Sequence, residues 1–471
     1  MQNILCATEL ATRLEKTFSK SCDFALRKIA LPCGATVFSA SFIGLCDKAY
    51  ISEFFIEPLF ELEDKSFLPD AVFASKLFKL DDENAVKAAL LGGNEVIFFD
   101  LDGELFAFAA DAKAPNSRSI NEPDGEVVIR GPREGFVESA VMNVALLRKR
   151  LLTEKLCVEK MAVGNLSPTE IYVVYIDGIA DKNVICRIKK RLSQIDLPTV
   201  IDSGYIEHSL GDSRYPLFPD VGNSEKPDKV AAKLVGGRVA VICDGSPCVL
   251  TLPYFFVESL QSAEDYLKSP YYATFLRFLR IVGTLIAVFL PGIYIALIEF
   301  DVSAIPHTLY MTITEARNDI PFTPFTELAV LLIVFEIIRE VGVRMPRAVG
   351  DAVSIVAGII LGDAAIKAGI AGAPVIMVAA LSATCSFIDP PIMNSLPLLR
   401  LVNLVFARIF GLFGVAFFML FLAAALCVKT SAGKPYLLPF APIAPKGLVD
   451  GIITVPDLAL KGAPDEIKEA E

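Results

Sequence analysis

Residues 281–298 read IVGTLIAVFLPGIYIALI, and residues 352–370 read AVSIVAGIILGDAAIKAGI. A helix rises about 1.5 Å per residue, so roughly 20 apolar residues cross the hydrocarbon core of a bilayer. Both runs approach that length, as do Pro374–Ile388 and Leu401–Val428. From about Thr274 to Val428 the chain therefore reads as membrane. Yet Glu336, Arg339, Glu340, Asp363, Lys367 and Arg408 lie inside or against these runs. A charge at mid-bilayer costs about 2.5–3.5 kcal/mol on insertion scales, so it normally faces a protein interior or a water path. The pattern points to a membrane protein that handles ions or solutes.

The 471 residues are 54% hydrophobic, but residues 1–270 carry charges throughout, as soluble sequence does. A net charge of −11 leaves no basic stripe to neutralise phosphates, which argues against a nucleic-acid partner. The ten cysteines show no C-x-x-C spacing, and His208 and His307 lie far from any cysteine pair, so no metal or other cofactor is expected. The cysteines read as small buried residues of a reducing compartment. Met1–Phe18 mixes acids and bases without the apolar core of a signal peptide, so the soluble part is expected to stay cytoplasmic.

The soluble half repeats itself. Ser41–Lys48 (SFIGLCDK) resembles Tyr175–Lys182 (YIDGIADK), and Leu91–Asp100 (LGGNEVIFFD) resembles Val235–Asp244 (VGGRVAVICD). Each half reads strand, turn, helix, linker, strand and hairpin, which predicts two duplicated small α/β subdomains followed by a multi-span α-helical membrane domain. The turns read either as ligand sites or, more plainly, as a glycine turn with an aspartate capping a helix. Between the halves stands Arg130–Ser139 (RGPREGFVES), ahead of a basic helical stretch ending at Arg150. Its Arg130, Arg133, Glu134 and Glu138 are candidates for docking between subdomains or subunits; a solvated helix face fits them as well. The expected divisions are 1–115 and 165–270 for the subdomains, 116–164 for the connector, 271–430 for the membrane domain and 431–471 for a cytoplasmic tail.

In the membrane half, Arg277 and Arg280 place the first span's start on the cytoplasmic side. Pro291-Gly292 interrupts that span, and the carbonyl it frees needs a partner. Glu336/Arg339 and Glu340/Arg344 stand at helical pairing distance and form either an interfacial ladder or a charged lining. Ala352–Ile370 carries Gly358, Gly362 and other small residues that permit close packing. Its Asp363 and Lys367, four apart, are either a structural pair or part of a conduction path. The lysines after Val428 require an even number of crossings, so one segment is re-entrant or residues 392–428 hold two short ones.

Several blocks together are similar to one family. They are Pro291–Leu297 (PGIYIAL), Pro321–Thr323, Phe335–Pro346 (FEIIREVGVRMP), Ile355–Gly358, Gly362–Ile370 (GDAAIKAGI) and Lys434–Pro439 (KPYLLP), with Arg130–Ser139 and Tyr175–Lys182 in the soluble half. They resemble the A subunits of the GerA family of bacterial spore germination receptors, over about residues 20–458. The resemblance implies a multi-pass protein of the inner spore membrane, forming a homo-oligomeric ion channel gated by nutrient. It also implies a B subunit resembling an amino-acid transporter and a lipoprotein C subunit as partners. Asp363 and Lys367 depart from the family pattern, which leaves open a branch like the stage V sporulation AF paralogues. A solute transporter and a membrane-anchored enzyme are the alternatives. The enzyme is disfavoured because no nucleophile–base pair, metal cluster or phosphate loop is present.

Overall fold

The computed structural model describes residues 6–451 apart from 33, 61–76, 102–103, 113–124, 127–130, 214–215, 319, 345–357, 359 and 444–450. The first sheet contains β1 (Phe24–Ala30), β2 (Thr36–Phe42), β3 (Leu77–Lys79), β4 (Glu95–Leu101) and β5 (Glu104–Ala110), in the order β1-β2-β4-β5-β3. The second contains β6 (Leu156–Val163), β7 (Thr169–Ile176), β8 (Gly222–Ser224), β9 (Val239–Cys243) and β10 (Val249–Leu252), in the order β6-β7-β9-β10-β8. The two orders are the same, and every pairing is antiparallel. The repeat read from the sequence is thus a repeat of topology.

Central strands are mostly apolar because both faces are covered, and β9 is apolar throughout. In β9, Val239, Val241 and Cys243 enter one core cluster while Ala240 and Ile242 enter the other, the period of two that a strand imposes. The Gly-Gly steps end the preceding helices, Glu83–Leu91 and Pro227–Val235, and their second glycines, Gly93 and Gly237, adopt φ of 80° and 83°. That left-handed conformation is nearly free for glycine alone. Asp47 and Asp181 accept hydrogen bonds from the backbone N–H of Ala49 and Asn183, so both repeat turns do cap helices.

The helical half comprises Pro270–Glu299, His307–Glu315, Pro324–Arg344, a helical stretch at 360–367, Ala373–Cys385 and Leu396–Val428. Among the described residues, Pro270–Glu299 and Leu396–Val428 are long and apolar enough to cross a membrane. The second of these is not straight. Gly411 has φ 61° and ψ −143°, and there the chain reverses. Phe406 packs against Phe417 and Phe418 at centroid distances of 6.0 and 5.8 Å, whereas eleven residues of straight helix would separate them by about 16 Å. Both ends return to one place: the Ser395 hydroxyl donates to the Leu217 carbonyl, and the Lys429 ammonium to that of Phe218. Residues 392–428 therefore hold two short helices, one of the two solutions left open above.

Candidate functional site

Pro291 has no N–H to give the carbonyl of Ala287, four residues back. The Ser382 hydroxyl donates to that oxygen at 2.8 Å. Asn403 Nδ2 donates to the next carbonyl, Val288, at 3.1 Å. Asn403 gets this close only because Gly292 lacks a side chain: a Cβ there would meet Nδ2 at 2.4 Å. The helix stays continuous through Pro291, and the carbonyls there are met by polar side chains from Ala373–Cys385 and from the first limb of Leu396–Val428, all fully buried.

The charges sort into separate groups. Glu336 pairs with Arg339 at 2.7 Å and also with Arg400, which is fully buried. Glu340 and Arg344 pair at 2.7 Å in the open. Toward the far end, Arg317 reaches Glu327 at 2.7 Å, and Glu327 also accepts the backbone N–H of Gly372 at 3.2 Å, fixing the reversal before Ala373. Arg408 pairs with Glu299 at 2.6 Å, beside the Gly411 turn. Arg277 and Arg280 both engage the buried Asp265. Asp363 and Lys367 pair at 2.6 Å with side chains 60% and 75% exposed, on the outside of the single chain. Gly362 is half-buried on the same stretch, and nothing lies within 4 Å of a Cβ built on Gly358. Residues 352–357 of that segment lie outside the described residues.

In the soluble half, Arg130 lies outside the described residues and Arg133 is exposed. Glu134 turns onto the following helix, Ala140–Arg150, pairing with Arg150 at 2.8 Å and Lys149 at 3.9 Å. The Glu138 carbonyl accepts the N–H of Gly245. The residue that joins the two sheets is Arg148. It is 1% exposed, donates to Asp23 at 2.9 Å and to Ser21 at 3.0 Å, and lies 4.1 Å from the Phe42 ring centroid. Residues 20–22 add backbone hydrogen bonds to Val158 on the edge of the second sheet.

The tail closes onto the same sheet. Lys434 reaches Asp181 at 2.6 Å, so the second repeat's capping aspartate also holds the short Thr430–Pro435 hairpin. Asp212 accepts from the Thr430 hydroxyl at 2.6 Å and the Gly433 N–H at 3.0 Å, and it pairs with Arg191 at 2.8 Å and Arg187 at 3.1 Å. Burial pushes the Asp212 carboxyl up, but these donors and cations outweigh it and hold the group below the usual range. Ser431 receives the Tyr254 N–H at 2.8 Å, and the fully buried Tyr436 fills the space beneath. The second helical limb is therefore tied directly to the second sheet.

Neither Arg148 nor Arg400 stood out as a site in the sequence. Each has partners distant in the chain, and a basic residue beside apolar ones gave no sign of burial. The repeat motif Tyr175–Lys182, which contains Asp181, is the one signal for the tail contact.

The family model described as Bacillus/Clostridium GerA spore germination protein matches residues 12–465. The chain is 34% identical to Spore germination protein KA of Bacillus subtilis over 91% of its length and 80% of that protein. It is also 34% identical to the membrane protein YfkQ of the same species, covering 92% and 86%. The crystal structure of the N-terminal domain of the A subunit of the Bacillus megaterium spore germinant receptor GerK3 aligns with a TM-score of 0.42 and 25% identity, over 54% of this chain and 96% of that one. The motifs quoted above and a family match over nearly the whole sequence agree: the chain belongs to the GerA family of Bacillus/Clostridium spore germination proteins.

Proposed function

We propose that this chain is the A subunit of a germinant receptor in the spore's inner membrane, and that copies of it assemble around an ion path opened by nutrient sensing. The exposed Asp363–Lys367 pair carries the reading. It sits on a helix of the apolar half, where facing lipid would cost about 2.5–3.5 kcal/mol for each charge. Assembly of several copies with this face turned inward puts both charges, with Gly358 and Gly362, beside water instead. The Gly411 reversal supports the same reading, since two limbs beginning and ending at the soluble half keep the tail on its side. The charged Glu336–Arg344 ladder then orders the membrane edge, and the tail contact passes movement of the soluble half to the last helices. A transporter-like B subunit and a lipoprotein C subunit are the partners this reading supplies.

The test is current across a planar bilayer containing the purified chain. Cation currents that change in Asp363→Ala and Lys367→Ala at unchanged protein level support the reading; wild-type currents in both variants remove that face from the path. A transporter is the second reading, because buried polar side chains gathered at Pro291-Gly292 in an apolar helix also suit a binding site. Saturable solute uptake without current would favour it.

A further inference from the structure

Two arginines converge on one carboxylate at Glu336, leaving an unbalanced positive charge. Arg400 is fully buried, while the side chains of Arg339 and Glu336 are 18% and 23% exposed, so the cluster opens to the surface through those two. Glu336 meets each guanidinium through one nitrogen, Nη2. Arg400 Nε and Nη1 and Arg339 Nη1 are buried without a hydrogen-bond partner among the described residues. A buried cationic donor is rarely left unmatched, because nothing replaces the water it lost.

The unmatched nitrogens ask for an anion with several oxygens. A guanidinium matches a carboxylate or a phosphate, and one carboxylate between two guanidiniums leaves both charge and donors for a second oxyanion. Position then selects its source. Arg400 lies four residues from Leu396 and Glu336 eight from Arg344, so the cluster is about 6–12 Å from these helix ends. The Leu396 end faces the soluble half, where Ser395 bonds to Leu217. Ile333 and Ile337, 49% and 58% exposed, flank Glu336 with apolar surface. Basic pockets between helices at a cytoplasmic edge suit anionic headgroups.

We propose that Arg400 and Arg339 bind a phosphate oxyanion beside Glu336, supplied by an anionic lipid of the leaflet next to the soluble half. The lipid source rests on the membrane reading above; the oxyanion chemistry does not.

The experiment uses the full chain in detergent, with bound lipid counted by native mass spectrometry after exposure to phosphatidylglycerol or phosphatidylcholine. Phosphatidylglycerol is expected to be retained about tenfold more, as charge-assisted bidentate contacts imply. Arg339→Gln, at a part-exposed position that spares the Arg400–Glu336 pair, should reduce retention to the phosphatidylcholine level. Glu336→Gln removes the competing carboxylate and should raise retention, a sign opposite to that of losing a merely structural ion pair. Equal retention of the two lipids, or no effect of Arg339→Gln, overturns the proposal. Inorganic phosphate is the parallel arm. If it binds with the same Arg339 dependence but does not displace the lipid, the oxyanion site stands and the lipid source falls. Retention of neither lipid, with phosphate still bound, instead indicts the membrane reading.

Discussion

The reversal at Gly411 can be tested at two glycines, Gly411 itself and Gly414. The Gly411 φ of 61° and ψ of −143° fall where side-chain-bearing residues pay about 1–3 kcal/mol in strain. A Cβ added there would also approach Phe300 Cγ to 3.0 Å, a side chain that can shift. Gly414 is more constrained. Its Cβ would lie 2.1 Å from the Phe406 carbonyl oxygen, and backbone cannot move without separating the limbs. Gly414→Ala is therefore expected to exceed Gly411→Ala, at or above the roughly 1–3 kcal/mol typical of overpacking. Thermal unfolding of the purified chain in detergent gives that ranking. Geometry is read by spin labels on Leu398→Cys and the exposed native Cys427, with the other accessible cysteines changed to serine. A straight helix would separate them by about 44 Å; the reversal places them within about 20 Å, two helix diameters. A single distance near the longer value in the unaltered turn would refute the reversal, and with it the reasoning about Gly414.

Ser382→Ala should destabilise the chain by about 1–3 kcal/mol, because it orphans the buried Ala287 carbonyl. The same change should be milder in a Pro291→Ala background, where the backbone N–H returns; additive unfolding energies would deny the coupling. Asp212→Ala should speed amide exchange in residues 430–436, since the tail hairpin loses two hydrogen bonds at once; unchanged exchange would show that the tail is held elsewhere. Glu95 is 1% exposed in β4, and burial pushes its carboxyl from the usual 4.5 up to about 7, against the pull of the Ser39 and Ser41 hydroxyls. The folded state therefore binds the extra proton, so stability is fully present below about 4.5 and falls as pH rises through about 7, by on the order of 3 kcal/mol. Glu95→Gln should flatten this part of the pH profile between pH 5 and 8, and a profile equal to wild type would refute the assignment.

Glu95 also shows how far the repeat can be read. It aligns with Val239, a fully buried core residue, so the pattern located the position while hiding that one copy places an acid in the core. Sequence alone determined what depends on neighbours along the chain. The Gly-Gly turns, the aspartate caps, the carbonyl freed at Pro291 and the four-residue spacing of Asp363 and Lys367 are all local, because φ preferences and helical periodicity act over a few residues. Tertiary structure decided what depends on distant partners. Ser382 repairs a carbonyl 95 residues away, Arg400 finds Glu336 across 64, and Asp181 holds a lysine near the end of the chain. The Gly411 reversal belongs with these. Glycine is common in apolar helices and does not by itself stop one. Only the packing of Phe406 against Phe417 and Phe418, with both limb ends held by the soluble half, turns that glycine into a corner.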